Sequence, residues 1–528
     1  MRTSHIITVA ATLAGTAASA PAQHDHHAGG QVGAVSFPTS CAAAVQPRFD
    51  RAVAMLHSFW FEEAAASFDS VAAADPSCGM AHWGAAMTLL YNPFTMTPPT
   101  PERRVAALAR AERALALATT ERERGFARAA VALYADTTPG LPGHRLRLRA
   151  HEDAMRALHE ANPEDAEAAI FHARAIITNA PPSDLTFARQ QAAARILEPL
   201  FERRPDHPGL AHYIIHTFDS PRMATQGLAA ARRYASIAPA APHALHMPSH
   251  IFTRLGYWQE SIETNKRSAA AEPVPAAAVH PLDYQVYAYL QLGRDEDARR
   301  VVEKAVNLEG RFYGGVIAYN YAAMHARYAL ERGDWAAAAA LEPPQAAAPF
   351  AVAVTHFARA IGSARSGKAA AAHVEIAALA RIRDTLKARG DGYWPTIVEA
   401  QRLAAAAWVA RAEGRTDEAM RLAREGAELE ESVEKHPVTP GPLLPARELQ
   451  ADLLAELGRP ADALAAYEQT LTREPRRARA LFGAARSAEL AKRPTEARRY
   501  YSELLEQMKE ADDARPETKA ARRFLASR

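Results

Sequence analysis

An all-α fold, built as an α-α superhelix of helix-turn-helix repeats, is what this sequence predicts, and three observations carry it. Ala, Leu, Arg and Glu dominate, all good helix formers, whereas Val-, Ile- and Thr-rich runs in strict alternation are scarce. Glycines recur as punctuation in Leu255-Gly256, Leu292-Gly293, Arg332-Gly333, Ser366-Gly367, Glu413-Gly414 and Leu457-Gly458, at intervals of 34 to 47 residues. Each would end one helix in a left-handed cap before a second, Ala- or Glu-rich helix begins. Prolines then close many second helices, at Asp75-Pro76, Ala238-Pro239, Glu272-Pro273 and Glu474-Pro475, where the missing backbone donor stops propagation.

With 528 residues, 48% of them hydrophobic and 23% charged, the chain is too long for one compact core and well suited to an array. Its 62 Lys and Arg balance 60 Asp and Glu without a long basic block. That distribution argues against nucleic acid as a partner, since phosphate neutralisation needs a concentrated cationic surface.

Arg2 followed by an apolar stretch from Ile6 to Ala18 and then small residues reads as a signal peptide over 1–22, with cleavage after Ala20 or Ala22. The run is too short to span a bilayer, and no later stretch reaches about 18 apolar residues. A periplasmic or secreted protein without an integral membrane segment after cleavage is expected. Residues 23–47 form a His-containing N-terminal segment whose Gln23-His24-Asp25-His26-His27 start is either a metal-capturing tract or a solvated tail. The only cysteines, Cys41 and Cys78, are expected to pair as a disulfide in an oxidising compartment and to tie that segment to the first helical hairpin.

The remaining chain divides into an N-terminal array over 48–310 and a C-terminal array over 311–528. Ala64, Phe68 and Pro76, then Leu457-Gly458 with Ala463, Tyr467 and Pro475, and more loosely Ala497 with Tyr501, fall at the offsets of a 34-residue unit. On these positions about two-thirds of the mature chain resembles the tetratricopeptide repeat family. The resemblance implies a solenoid whose first helices line a concave groove that takes a protein, peptide or small-molecule ligand. Departures from the register occur at Tyr91 to Pro101, Asp136 to Gly143 and Pro343-Pro344. The blocks Phe37-Pro-Thr-Ser-Cys41, Leu56-His-Ser-Phe-Trp60, His207-Pro-Gly-Leu-Ala-His-Tyr-Ile-Ile-His216 and His243-Ala-Leu-His-Met-Pro-Ser-His250 look like a group of exported bacterial tetratricopeptide proteins. That likeness, from about Phe37 to Asn265, implies localisation and architecture and no catalytic residue.

The chemistry-bearing pattern lies between His207 and His250. His212 and His246 are 34 residues apart, as are His216 and His250, so the same face recurs in consecutive units. Within each helix the pair is spaced i, i+4, and His243 joins the second pair. By the family resemblance this face turns inward. Pro208 suits the first turn of a helix capped by Asp206 or His207. Pro248, inside the second histidine segment, should kink the helix or start it afresh.

Three or four of His212, His216, His243, His246 and His250 are candidate ligands of Zn, Cu, Ni or Fe, with Asp219 or Asp283 available as a carboxylate. A metal-free ligand groove with a polar floor, and simple helix packing, are the competing readings. Asp283 and Tyr287, with Tyr284, are candidates to extend the groove, as are Asn320 and Arg327, with ordinary helix packing and a solvated polar face as the favoured reading of all of them. His57, His82 and His172 lie among apolar neighbours and read as buried, hydrogen-bonded side chains. The charged stretch from Arg415 to Arg528 suggests only a solvated helical face.

No H-E-x-x-H, G-x-S-x-G, Walker-type loop or dinucleotide fingerprint stands in a suitable context. A poly-His metalloenzyme, hydrolytic or oxidative, is the alternative to a binding solenoid, because an open imidazole-held ion can activate water.

Overall fold

The computed structural model describes residues 30–306, 315–345, 347–512 and 515–527. Residues 31–528 form one unit, and among the described residues its regular structure is all helical, with no strand. The expected signal peptide, His24, His26 and His27 lie outside the described residues, as does the 310/311 boundary expected between the two arrays. No described helix is long and apolar enough to cross a membrane.

The helix-turn-helix punctuation is realised as read. Gly256, Gly293, Gly333, Gly367, Gly414 and Gly458 all have positive φ, between 68° and 79°. At Gly256 the demand is doubled, because a Cβ there would also lie 2.7 Å from the Arg476 side chain and 2.8 Å from the Pro475 carbonyl. The Tyr91–Pro101 irregularity is a short 3-10 turn at Pro93–Thr95 before a helix starting at Pro101. The Pro343-Pro344 departure follows a helix of only five residues, Trp335–Ala339.

Repeats interlock by pairing a ring with a glycine. In the first unit the Phe68 ring lies where a Cβ on Gly84 would come within 2.3 Å, and near the C-terminus Tyr467 stands the same way against Gly483, at 2.2 Å. Both pairs are sixteen residues apart, so one packing solution is used at both ends of the array. The N-terminal segment closes the first repeats: Phe37 is buried among Phe49, Trp83 and Phe126. Cys41 and Cys78 form the expected disulfide, which holds that segment to the helix starting at Gly79.

The array folds back on itself through an irregular segment, residues 432–445, between helices Thr416–Glu431 and Ala446–Glu456. It crosses the N-terminal repeats as a strap. The Glu434 amide donates to the Pro182 carbonyl at 2.8 Å, and the buried Arg254 donates to the Pro440 carbonyl. Arg327, also fully buried, donates to the carbonyls of Gly441 (2.6 Å) and Pro442 (2.8 Å) and to Thr439 Oγ1 (2.7 Å). Two guanidinium groups thus satisfy the buried backbone acceptors that a loop lacking helical hydrogen bonds leaves open.

Candidate functional site

The first histidine helix, Pro208–Thr217, starts where the sequence indicates: Pro208 occupies its first turn and His207 is the N-cap, its Nδ1 accepting from the Leu210 amide. Pro248 breaks the second segment into two short helices, Pro242–His246 and Pro248–Leu255, with Met247 at the junction. The helical φ and ψ of Met247 keep the break small. His243 and His246 therefore remain helical and stay with His250.

All five sequence-identified imidazoles converge. His212 and His243 meet Nε2 to Nε2 at 3.1 Å, His246 and His250 at 3.0 Å, and the His216 ring lies 4.9 Å from His212 and 5.8 Å from His250 by ring centres. A sixth, His280, packs 4.4 Å from the His246 ring, and the Tyr284 hydroxyl approaches His250 Nδ1 at 3.5 Å. Sequence reasoning passed over His280, yet a signal was present: His280 lies 34 residues beyond His246, and Tyr284 lies 34 beyond His250. The step that relates the first two histidine pairs places the third.

Two groups emerge. One nitrogen from each of His212, His216 and His243 lie within 4.8 Å of one another, and the same holds for His246, His250 and His280. Three rings are anchored through Nδ1. His212 donates to the His57 carbonyl (2.6 Å), His246 faces Asn265 Oδ1 (2.7 Å) and His250 faces Asp219 Oδ2 (2.8 Å). The Asn265 amide orientation is fixed because its Nδ2 donates to the Ser261 carbonyl at 2.7 Å. Such partners set the tautomer and aim Nε2 inward.

Burial dominates the electrostatics. It drives His212, His216, His243 and His246 well below the ordinary imidazole range, and neighbouring imidazoles add to the effect. His250 is lowered by burial, with Asp219 opposing, and burial pushes His280 down to about 3. Burial works against ionisation of Asp219, but Lys435, His250 and Arg254 together hold it far below the carboxylate range. The Lys435 ammonium stands 2.7 Å from it. The site therefore presents neutral imidazoles, the form that ligates metal.

Asp283 and Tyr287, candidates from sequence to extend the groove, do not join this group. On helix Val279–Gln291, Asp283 is turned about 100° from Tyr284. Its carboxylate accepts from Arg327 Nε at 3.0 Å, and burial raises its pKa to about 6 despite that guanidinium. Tyr287 lies nearly a turn further along, where its hydroxyl accepts from Arg477 at 3.2 Å. Both brace the strap and the C-terminal repeats. Asn320 is buried beside His280, and Arg327 serves the strap.

His57 is buried and hydrogen-bonded as read, and it belongs to a chain that sequence did not disclose. The Tyr213 hydroxyl lies 3.0 Å from its Nδ1, and Glu167 takes His57 Nε2 at 2.9 Å and His207 Nε2 at 2.8 Å. With Leu210 on His207 Nδ1, every ring nitrogen is used. This group is metal-like in composition but already satisfied by protons. His172 bonds His159, and His82 is half-buried.

A cavity of about 650 Å³ adjoins the cluster, reached through His216 and Asp219 and walled by Phe94, Phe350, Trp394 and the strap residues Lys435 and His436. The charged C-terminal stretch thus contributes two side chains to the site, where its sequence indicated only a solvated face.

Residues 449–516 match the tetratricopeptide repeat family. No curated protein sequence matches the chain. Among solved structures, yeast Tom70 is similar at 11% identity and a TM-score of 0.34, over 91% of this chain and 94% of that one. The human IFIT1 dimer with m7Gppp-AAAA is similar at 11% identity and a TM-score of 0.39, over 81% and 90%.

Proposed function

Taking as premise that this chain is a tetratricopeptide-repeat protein, we propose that it is an exported binding protein that holds a transition metal on its histidine cluster and presents it to a ligand in the adjoining cavity. Repeat solenoids recognise partners through an inner surface, and this inner surface is unusual in what lines it. The observation that carries the reading is a set of six converging imidazoles, three buried and three partly buried, opening through His216 and Asp219 onto a cavity of about 650 Å³.

The donor set fits a metal on its own geometry. With metal–nitrogen bonds of roughly 2.0–2.1 Å, two ligand nitrogens stand about 2.9 Å apart at a right angle and about 3.3 Å apart at a tetrahedral one. The two closest pairs, at 3.0 and 3.1 Å, lie between these values. His216 Nε2 and His280 Nδ1 are buried without a hydrogen-bond partner, so each group also carries an unused nitrogen. Imidazole donors suit Cu, Zn, Ni and Fe.

The cavity takes a peptide segment or a small molecule, its aromatic wall supplying apolar contact and the metal, Lys435 and His436 the polar fixing points. A periplasmic or secreted location is consistent with the Cys41–Cys78 disulfide and with the apolar N-terminal pattern.

Elemental analysis of the full chain, exported from cells grown with ample copper and zinc, tests the proposal. Bound transition metal is expected, and it should be lost when His212, His216, His246 and His250 are changed to Ala. Protein isolated metal-free under those conditions, and unable to take up either ion afterwards, overturns it.

A further inference from the structure

We infer that the cluster is a dinuclear centre, with one ion on His212, His216 and His243 and a second on His246, His250 and His280. The inference rests on the metal reading above and adds the number of ions and the division of ligands.

The strongest argument is the tautomeric state of His246 and His250. Asn265 Oδ1 is acceptor-only, since Nδ2 of the same amide is committed to Ser261, so His246 must carry its proton on Nδ1. Asp219 Oδ2 lies 2.7 Å from Lys435 Nζ and 2.8 Å from His250 Nδ1, so His250 Nδ1 is likewise committed to an acceptor. With both Nδ1 atoms engaged, the two Nε2 atoms face each other across 3.0 Å. Two lone pairs at that distance repel unless a positive centre lies between them or beside both. A metal ion supplies it, and His280, with its unpartnered Nδ1, completes a third ligand.

The first triad repeats the design one unit earlier. His212 is fixed by the His57 carbonyl with its proton on Nδ1, so its Nε2 lone pair faces His243 at 3.1 Å. His216 Nε2 is buried and unpartnered beside them. Each triad is thus an i, i+4 pair from one repeat plus a single histidine from the next. The third ligand follows the first of the pair by 31 residues in one triad and 34 in the other. A site generated by the repeat is expected to recur with the repeat.

The triads also adjoin. Ring centres of His216 and His250 are 5.8 Å apart, and those of His243 and His246 are 6.0 Å apart. Ions held on both sides would be neighbours, so coupling between them is a readout of double occupancy. The Glu167 group shows what the alternative looks like: there each imidazole nitrogen has a hydrogen-bond partner, and nothing is left for an ion.

The test uses the full chain with His24, His26 and His27 changed to Ala, which removes the N-terminal tract as a competing site. Loaded with Cu(II) or Zn(II) and freed of excess ion by gel filtration, it should retain two equivalents. His243→Ala and His280→Ala remove the partly exposed third ligand of each triad, and each should lower retention to one equivalent. Copper electron paramagnetic resonance should show a signal weakened by coupling in the parent protein and an isolated-ion spectrum in each variant. One equivalent in the parent, with an isolated-ion spectrum, overturns the dinuclear assignment while leaving the metal reading intact. No retained ion overturns both, and a proton shared between His246 and His250 then explains the short contact. The parent stoichiometry and spectrum decide the matter even if a variant fails to fold.

Discussion

His250 joins two different kinds of neighbour: its Nδ1 lies 2.8 Å from Asp219 Oδ2, while its Nε2 faces His246 Nε2 at 3.0 Å. The carboxylate therefore governs which nitrogen is free to work. Because Lys435 and Arg254 hold Asp219 ionised, the acceptor character of that partner is constant near neutral pH.

Removing this orienting carboxylate should loosen metal without removing a ligand. Asp219→Ala is expected to weaken retention by about 10–100-fold, the usual effect of losing such a partner. Competition against a chelator of known affinity measures it, and unchanged affinity would show that His250 is not a ligand.

Stability of the metal-free protein should fall with acid earlier than carboxylate titration alone allows. Burial pushes His57, His144, His151 and His172 down to about 4 and His436 to about 3, from an ordinary 6.5. The unfolded chain takes up these protons first. Full stability is therefore present above about pH 6.5 and is lost as pH falls from there through 4. Glu430 and Asp283, raised by burial to about 7 and about 6, act in the opposite sense but are outnumbered by these five. Urea midpoints measured from pH 7.5 to 4.5 should drop steeply below 6.5, and a flat profile to pH 5 would contradict the burial of these rings.

Filling the glycine that faces a ring should disrupt the repeat. Gly84→Ala and Gly483→Ala force a methyl group against Phe68 and Tyr467, at an expected cost of about 1–3 kcal/mol each. Shrinking the opposing ring, as in Phe68→Leu with Gly84→Ala, should recover part of it. Thermal or urea unfolding reads both results.

Reducing Cys41–Cys78 should destabilise the N-terminal repeats. The two residues are 37 apart in sequence, for which the loop-entropy model gives about 4 kcal/mol. Unfolding with and without reductant, and in Cys41→Ser with Cys78→Ser, measures the difference. The effect should be largest in probes near Phe37 and Trp83.

What could be read in advance was whatever the repeat makes periodic. The six turn glycines, the Pro208 helix start, the disulfide and the convergence of five histidines all follow from local rules or from the 34-residue step. His280 obeyed that step too, in a unit bounded by Glu272-Pro273 and Leu292-Gly293, but the histidine spacing was followed for only two units. Lys435 and His436 were beyond reach for another reason. Their segment has no helical period, and its place is set by how far the array curls back, which depends on the summed geometry of many repeats. Glu167 is 110 residues from His57, and nothing local in either stretch announces the bond between them. Asp283 and Tyr287 were assigned to the groove by proximity in sequence, and a rotation of about 100° per residue sent them elsewhere.

The strap also divides the site in time. All six imidazoles belong to residues up to 280, whereas Lys435 and His436, which wall the cavity, are synthesised more than 150 residues later. Since chains fold from the N-terminus as units become available, the histidine floor can form before its cover arrives.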